Sequence, residues 1–110
     1  EIASKLDSQF REVMEIPDNF HVLMTQGGAS QQFSAVPLNL TSHGDAVNFL
    51  VSGKWSQAAA AEAAKFNEVK VVNEPDALLS PESWKIDKEA KFFSFCQNES
   101  IDGVSFDQER

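Results

Sequence analysis

The stretch Ala46-Val47-Asn48-Phe49-Leu50-Val51-Ser52, followed by Gly53-Lys54-Trp55-Ser56 and then the alanine-rich Gln57-Ala58-Ala59-Ala60-Ala61-Glu62-Ala63-Ala64, decides the architecture of this chain. Residues 46–52 form a short apolar run that suits a strand, and a glycine ends it. Residues 56–66 are dominated by alanine, the best helix former, and Val69-Lys70-Val71-Val72 returns to strand character. Strand, helix and strand in that order, joined by short connections, give a parallel pair with a crossover helix.

The same alternation extends outward in both directions. Upstream, Val22-Leu23-Met24 lies within residues 20–25, a short apolar segment bounded by turn residues that reads as a buried strand. Gln26-Gly27-Gly28-Ala29-Ser30-Gln31-Gln32-Phe33 follows it and leads into Ser34-Ala35-Val36, a second helical stretch that Pro37 is expected to bend or shorten. Before Pro17-Asp18-Asn19, the spacing of Ile2, Leu6, Phe10 and Val13 or Met14 predicts an amphipathic helix. Downstream, residues 73–90 are loop-rich, with Pro75 and Pro81, and Phe92-Phe93-Ser94-Phe95-Cys96 gives one more strand. The expected fold class is α/β with a mainly parallel sheet of four strands. Such a sheet leaves open edges, and the chain opens on Glu1 rather than Met, so it reads as a piece of something longer.

Composition narrows the function classes. The 110 residues allow one domain with a sizeable core, and 42% apolar with 24% charged residues is ordinary for folded soluble proteins. Seventeen acidic residues against nine basic ones give a formal charge of -8, which repels a phosphodiester backbone. Nucleic acid is therefore not expected as a partner, and no apolar run approaches the length of a membrane span. Cys96 is the only cysteine, so no internal disulfide framework exists, and a cytoplasmic location is the expectation. His21 and His43 stand far apart in sequence, and Cys96 has no partner at metal-ligand spacing, which argues against a structural zinc site. Cys96 sits in an apolar run and is expected to be a buried small hydrophobe rather than a nucleophile. Two carboxylate clusters, Glu12, Glu15 and Asp18, and Glu82, Asp87 and Glu89, read as solvated faces.

Chemistry concentrates in two places. The Gly27-Gly28 turn before a helix lets backbone approach a ligand closely, and the helix start offers unpaired N–H groups to a phosphate. Trp55, directly after a strand, could lie flat against an aromatic ring. Either feature alone is commonly structural. Together they suggest a phosphorylated heteroaromatic cofactor. A nucleotide-binding module ranks last, since no P-loop lysine follows the glycines and no G-x-G-x-x-G pattern occurs.

Three motifs in one order, Gln26-Gly27-Gly28-Ala29-Ser30-Gln31-Gln32-Phe33-Ser34-Ala35-Val36-Pro37-Leu38-Asn39-Leu40, then Gly53-Lys54-Trp55-Ser56, then Cys96-Gln97-Asn98-Glu99-Ser100, closely resemble the phosphoserine aminotransferase family. The resemblance covers nearly the whole chain. It implies the large domain of a fold-type-I, class V aminotransferase, homodimeric, using pyridoxal 5'-phosphate. The implied reaction moves an amino group between phosphoserine and 2-oxoglutarate in serine biosynthesis. Residue by residue, it implies that Ala29 and Ser30 hold the cofactor phosphate, that Trp55 stacks on the pyridine ring, and that Ser100 contacts the cofactor where relatives carry threonine. The position of Ser30 is often arginine or cysteine in relatives, so one charged phosphate contact is missing here.

The resemblance also implies absences. The aspartate that pairs with the pyridinium nitrogen and the Schiff-base lysine belong to segments beyond the matching stretch, and the substrate-binding histidine and arginine precede it. The seven lysines present, Lys5, Lys54, Lys65, Lys70, Lys85, Lys88 and Lys91, are expected on the solvated surface. Residues 1–110 are thus expected to be a partial cofactor-binding large domain, truncated at both ends and without catalytic residues of its own. The other expectation left open is an inactive remnant acting as a binding or interaction module.

Overall fold

The computed structural model of the protein describes residues 2–74, 78 and 80–106. Pro75, within the stretch expected to be loop-rich, lies outside them. The centre is β1 (Ala46–Leu50), flanked by β2 (Glu68–Val71) and β3 (Phe93–Phe95) in the order β2-β1-β3. Both neighbours run parallel to β1, with Ala46 opposite Glu68 and Asn48 opposite Phe93. Between β1 and β2 the chain crosses over through α3 (Lys54–Ala63), as residues 46–72 predict.

Side chains alternate across β1, as the period of a strand requires. Val47 and Phe49 point toward α3 and toward α2 (Gly28–Leu40), where they join Ala59, Ala60 and Ala63 in the buried core, with Phe33, Val51, Val69 and Phe92 around it. The small alanines let α3 lie close to the sheet, and Phe49 meets Phe92 edge to face at 5.9 Å. On the opposite face, Asn48 donates through Nδ2 to the Asp87 carbonyl at 2.8 Å and accepts the Asp87 N–H at 3.2 Å. A buried amide in a central strand is tolerable because the returning segment completes its hydrogen bonds. Past the end of β1, Asn73 accepts the Val51 N–H and donates to the Val51 carbonyl, both at 2.9 Å. One side chain thus continues the ladder where β2 has stopped.

Several expectations change. Residues 20–25 form no strand: Leu23 and Met24 are 79% and 63% exposed, and no strand of the described sheet pairs with them. The parallel sheet therefore has three strands rather than four. A short antiparallel pair, β4 (Asn98–Glu99) with β5 (Val104–Ser105), follows it and lacks any apolar alternation that would have announced it. Pro37 does not shorten α2, which continues to Leu40; the Thr41 N–H and hydroxyl both donate to the Pro37 carbonyl, at 3.1 and 2.7 Å. Burial of the Pro37 ring offsets the backbone bond it cannot make. The amphipathic helix α1 (Ile2–Val13) forms where expected, yet it has no buried residue.

Candidate functional site

Parallel strands of this kind present their functional loops at their carboxyl ends, and the Gly53-Lys54-Trp55-Ser56 motif follows the carboxyl end of β1. After β1, the chain turns at Gly53 into α3. The first donors of α3 are unusual in how completely they are satisfied. Glu99, wholly buried, accepts the Trp55 N–H at 2.7 Å through Oε2 and the Ser56 N–H at 2.8 Å through Oε1. Asp102 accepts the Lys54 N–H at 2.7 Å. Ser56 Oγ in turn accepts the Ser52 and Gly53 N–H groups, at 2.8 and 3.1 Å. Carboxylates at a helix amino terminus also meet the favourable end of its dipole.

The start of α2 is the opposite case. Its cap, Gly27, has φ 95° and Gly28 has φ 57°, both in the left-handed region that favours glycine. A Cβ on Gly27 would fall 1.8 Å from the Gln31 side chain. No side chain caps the helix, and Ala29 and Ser30 in its first turn are exposed. Here the orphan N–H groups of the helix stay available to an anion, whereas at α3 two carboxylates already occupy them.

Trp55 is 39% exposed and its indole is held in place: Nε1–H donates to Ser100 Oγ at 3.1 Å. The structure thus brings Trp55 and Ser100 into contact although 45 residues separate them. Phe33, about one turn into α2 from Ala29 and Ser30, lines a cleft with Trp55, Ala59, Ser94 and Cys96. Cys96 is half-buried, not fully buried as expected, because it lies just past the end of β3 at this cleft; its Sγ–H donates to the Asn98 carbonyl at 3.4 Å. An exposed helix start, a half-exposed indole and a hydroxyl beside it are donor and surface types that fit a phosphorylated aromatic group. Six of the seven lysines are exposed, and the seventh, Lys70, is half-buried and paired with Glu68. Among the described residues no group of three or more His, Cys, Asp or Glu could hold a metal ion, and no helix is long and apolar enough to cross a membrane.

Sequence reasoning missed Glu99. It stands next to Ser100 inside the motif Cys96-Gln97-Asn98-Glu99-Ser100, but an acidic residue between an asparagine and a serine carries no periodic signal of burial. Burial pushes its carboxyl up, yet hydrogen bonds from Ser56, the Trp55 N–H and the Ser52 hydroxyl outweigh it and hold the group below its ordinary 4.5. A depressed carboxyl contributes stability that is full above the ordinary range and is lost as pH falls through the folded value. Glu62, beside Lys65 and Ser34, and Glu74, beside Lys85, are lowered in the same sense. Glu99→Gln should therefore flatten part of the acid limb of a stability-against-pH curve below about pH 4.5. An unchanged limb in that variant would show that the Glu99 charge does not couple to folding.

Residues 1–110 match the family described as Aminotransferase class-V. The phosphoserine aminotransferase of Shewanella baltica is 42% identical over 118 residues, covering 97% of this chain and 32% of that protein. The phosphoserine aminotransferase of Drosophila melanogaster is 38% identical over 104 residues, covering 91% of this chain and 29% of that one. Among solved structures, the phosphoserine aminotransferase of Trichomonas vaginalis with bound pyridoxal phosphate superposes with a TM-score of 0.81 at 34% identity, over 92% of this chain and 30% of that one. The chain thus spans roughly a third of the length of the curated relatives it matches, with the fold-type-I arrangement over that span. Fold and sequence agree, and the chain belongs to the class-V aminotransferase family.

Proposed function

We propose that this chain is the phosphate- and ring-binding part of the large domain of a phosphoserine aminotransferase. The observation that carries the reading is the pairing of an uncapped, exposed α2 start with a half-exposed Trp55 whose indole is fixed by Ser100. Ala29 and Ser30 would hold the phosphate of pyridoxal 5'-phosphate, Trp55 would lie against its ring, and Ser100 would orient the indole and contact the cofactor. Pyridoxal phosphate, when bound, supplies the electron sink for moving an amino group. This chain's residues contribute binding and orientation; we assign none of its lysines to the chemistry. In this reading the substrates are phosphoserine, which the relatives' names carry, and 2-oxoglutarate, the amino acceptor that the family resemblance implies. Homodimeric assembly belongs to the same reading, since the apolar side of α1, including Ile2, Leu6 and Val13, is exposed surface that a partner could bury. A cytoplasmic location accords with the single unpaired cysteine.

The test is made on the intact protein. Loaded with pyridoxal 5'-phosphate and given phosphoserine and 2-oxoglutarate, it should form glutamate, and serine should replace phosphoserine poorly. Turnover with serine or alanine at rates equal to phosphoserine would overturn the substrate assignment.

A further inference from the structure

Trp55 is held at two levels by two adjacent residues of the β4–β5 hairpin. Glu99 accepts the Trp55 backbone N–H at 2.7 Å, and Ser100 accepts its indole N–H at 3.1 Å. The hairpin is itself closed around Glu99: its carbonyl accepts the Asp102 N–H at 3.1 Å and the Gly103 N–H at 2.8 Å. Its second carboxylate oxygen takes the Ser56 N–H at 2.8 Å, with the Ser52 hydroxyl farther off at 3.4 Å. All the donors facing it are neutral, and among the described residues no cation forms an ion pair with it.

Space at the junction has been cleared for these carboxylates. A Cβ at Gly53 would stand 2.6 Å from Asp102 Oδ2 and 2.8 Å from Glu99 Cδ and Cγ. The backbone at Gly53 is extended, with φ 180°, so the requirement for glycine there is one of contact rather than of dihedral angle. Position 53 is small because the hairpin presses against it.

We infer that Glu99 is a positioning residue for the aromatic plate: its buried carboxylate fixes the first turn of α3 to the hairpin, so that Ser100 and the Trp55 indole keep one mutual orientation whether or not a ligand is present. Its action on a ligand passes through Trp55. The inference rests on the reading of Trp55 as the surface that takes the cofactor ring. A carboxylate suits the place because both oxygens accept, and two backbone N–H groups face them. Glutamine would turn an amide N–H₂ toward one of those donors and lose that bond. Alanine would lose both.

The experiment uses the intact protein. In its cofactor-free form, the exchange rate of the Trp55 indole proton is measured by NMR, the resonance being assigned by its disappearance in Trp55→Phe. Pyridoxal 5'-phosphate is then titrated, and the Tm of each variant is recorded. For Glu99→Gln we expect faster indole exchange and a cofactor Kd raised about tenfold, the scale of one lost hydrogen bond to a charged group, with Glu99→Ala worse in both. Gly53→Ala, which keeps Glu99 but pushes the hairpin away, should move both readouts in the same direction and serves where Glu99→Gln does not fold. Lower Tm with unchanged indole exchange and unchanged Kd in these variants would reduce Glu99 to a helix cap and overturn the inference, while weaker binding in Trp55→Ala would leave the ring-plate reading standing. Unchanged Kd in Trp55→Ala would remove the ring-plate reading and the inference with it.

Discussion

Phe49→Ala in the intact protein should lower its unfolding free energy by about 3–5 kcal/mol, the range for deleting a buried aromatic ring. Phe49 is 4% exposed, on the central strand, at the place where α2 and α3 both meet the sheet. Its neighbours on α3 are Ala59, Ala60 and Ala63, which have no longer side chain to swing into the space. Phe92, at 5.9 Å and 72° to the ring, would lose its edge-to-face partner. The cavity would therefore persist rather than collapse, and a persistent cavity is what separates large losses from small ones. The measurement is the urea midpoint at constant m-value. Phe95→Ala is the comparison, since Phe95 is 53% exposed. A Phe49→Ala loss below about 1 kcal/mol, outside the usual range for such a change, would mean that the two helices can close onto β1.

Trp55→Ala should raise the Kd for pyridoxal 5'-phosphate by about 10- to 100-fold, while changing Tm little. The expected size follows from losing a stacked aromatic surface, worth about 0.5–1.5 kcal/mol beyond the area it covers, together with that area. Folding should notice less. Trp55 is already 39% exposed, and its backbone bond to Glu99 survives the substitution. Trp55→Phe separates two contributions, because it keeps an aromatic face and deletes the indole N–H that Ser100 accepts. It should fall between wild type and alanine. Titration followed by absorbance or by quenching of tryptophan fluorescence reads the result. Equal affinities in wild type and Trp55→Ala would remove Trp55 from the site.

The sheet was legible where one residue type dominated each element. Val47, Phe49 and Leu50 are buried as an apolar run in a parallel strand should be, and the alanines of α3 needed no tertiary help to suggest a helix. Val22-Leu23-Met24 misled because a short apolar run states only that its residues prefer burial, not that a neighbour exists to pair with them. In the described chain that neighbour is absent from the sheet, and Gln32 Nε2 donating to Thr25 Oγ1 at 3.0 Å ties the segment to α2 instead. The glycine turn was legible because Gly27 and Gly28 both need positive φ. The junction between α3 and the hairpin was not, since it depends on a carboxylate meeting a helix start across 44 residues of chain. Local pattern contains no trace of such a meeting.

That separation has a kinetic meaning. The β1–α3–β2 unit has its partners close along the chain, so it can assemble early, whereas contacts of long sequence separation must first overcome the entropy of closing a large loop. During synthesis, α3 emerges with three of its first N–H groups still facing water, and Glu99 and Asp102 arrive only after β3 has been made. The aromatic face is therefore completed late, after the core beneath it, and a nascent chain halted between Phe95 and Glu99 carries all three described parallel strands but none of the hairpin residues that hold Trp55.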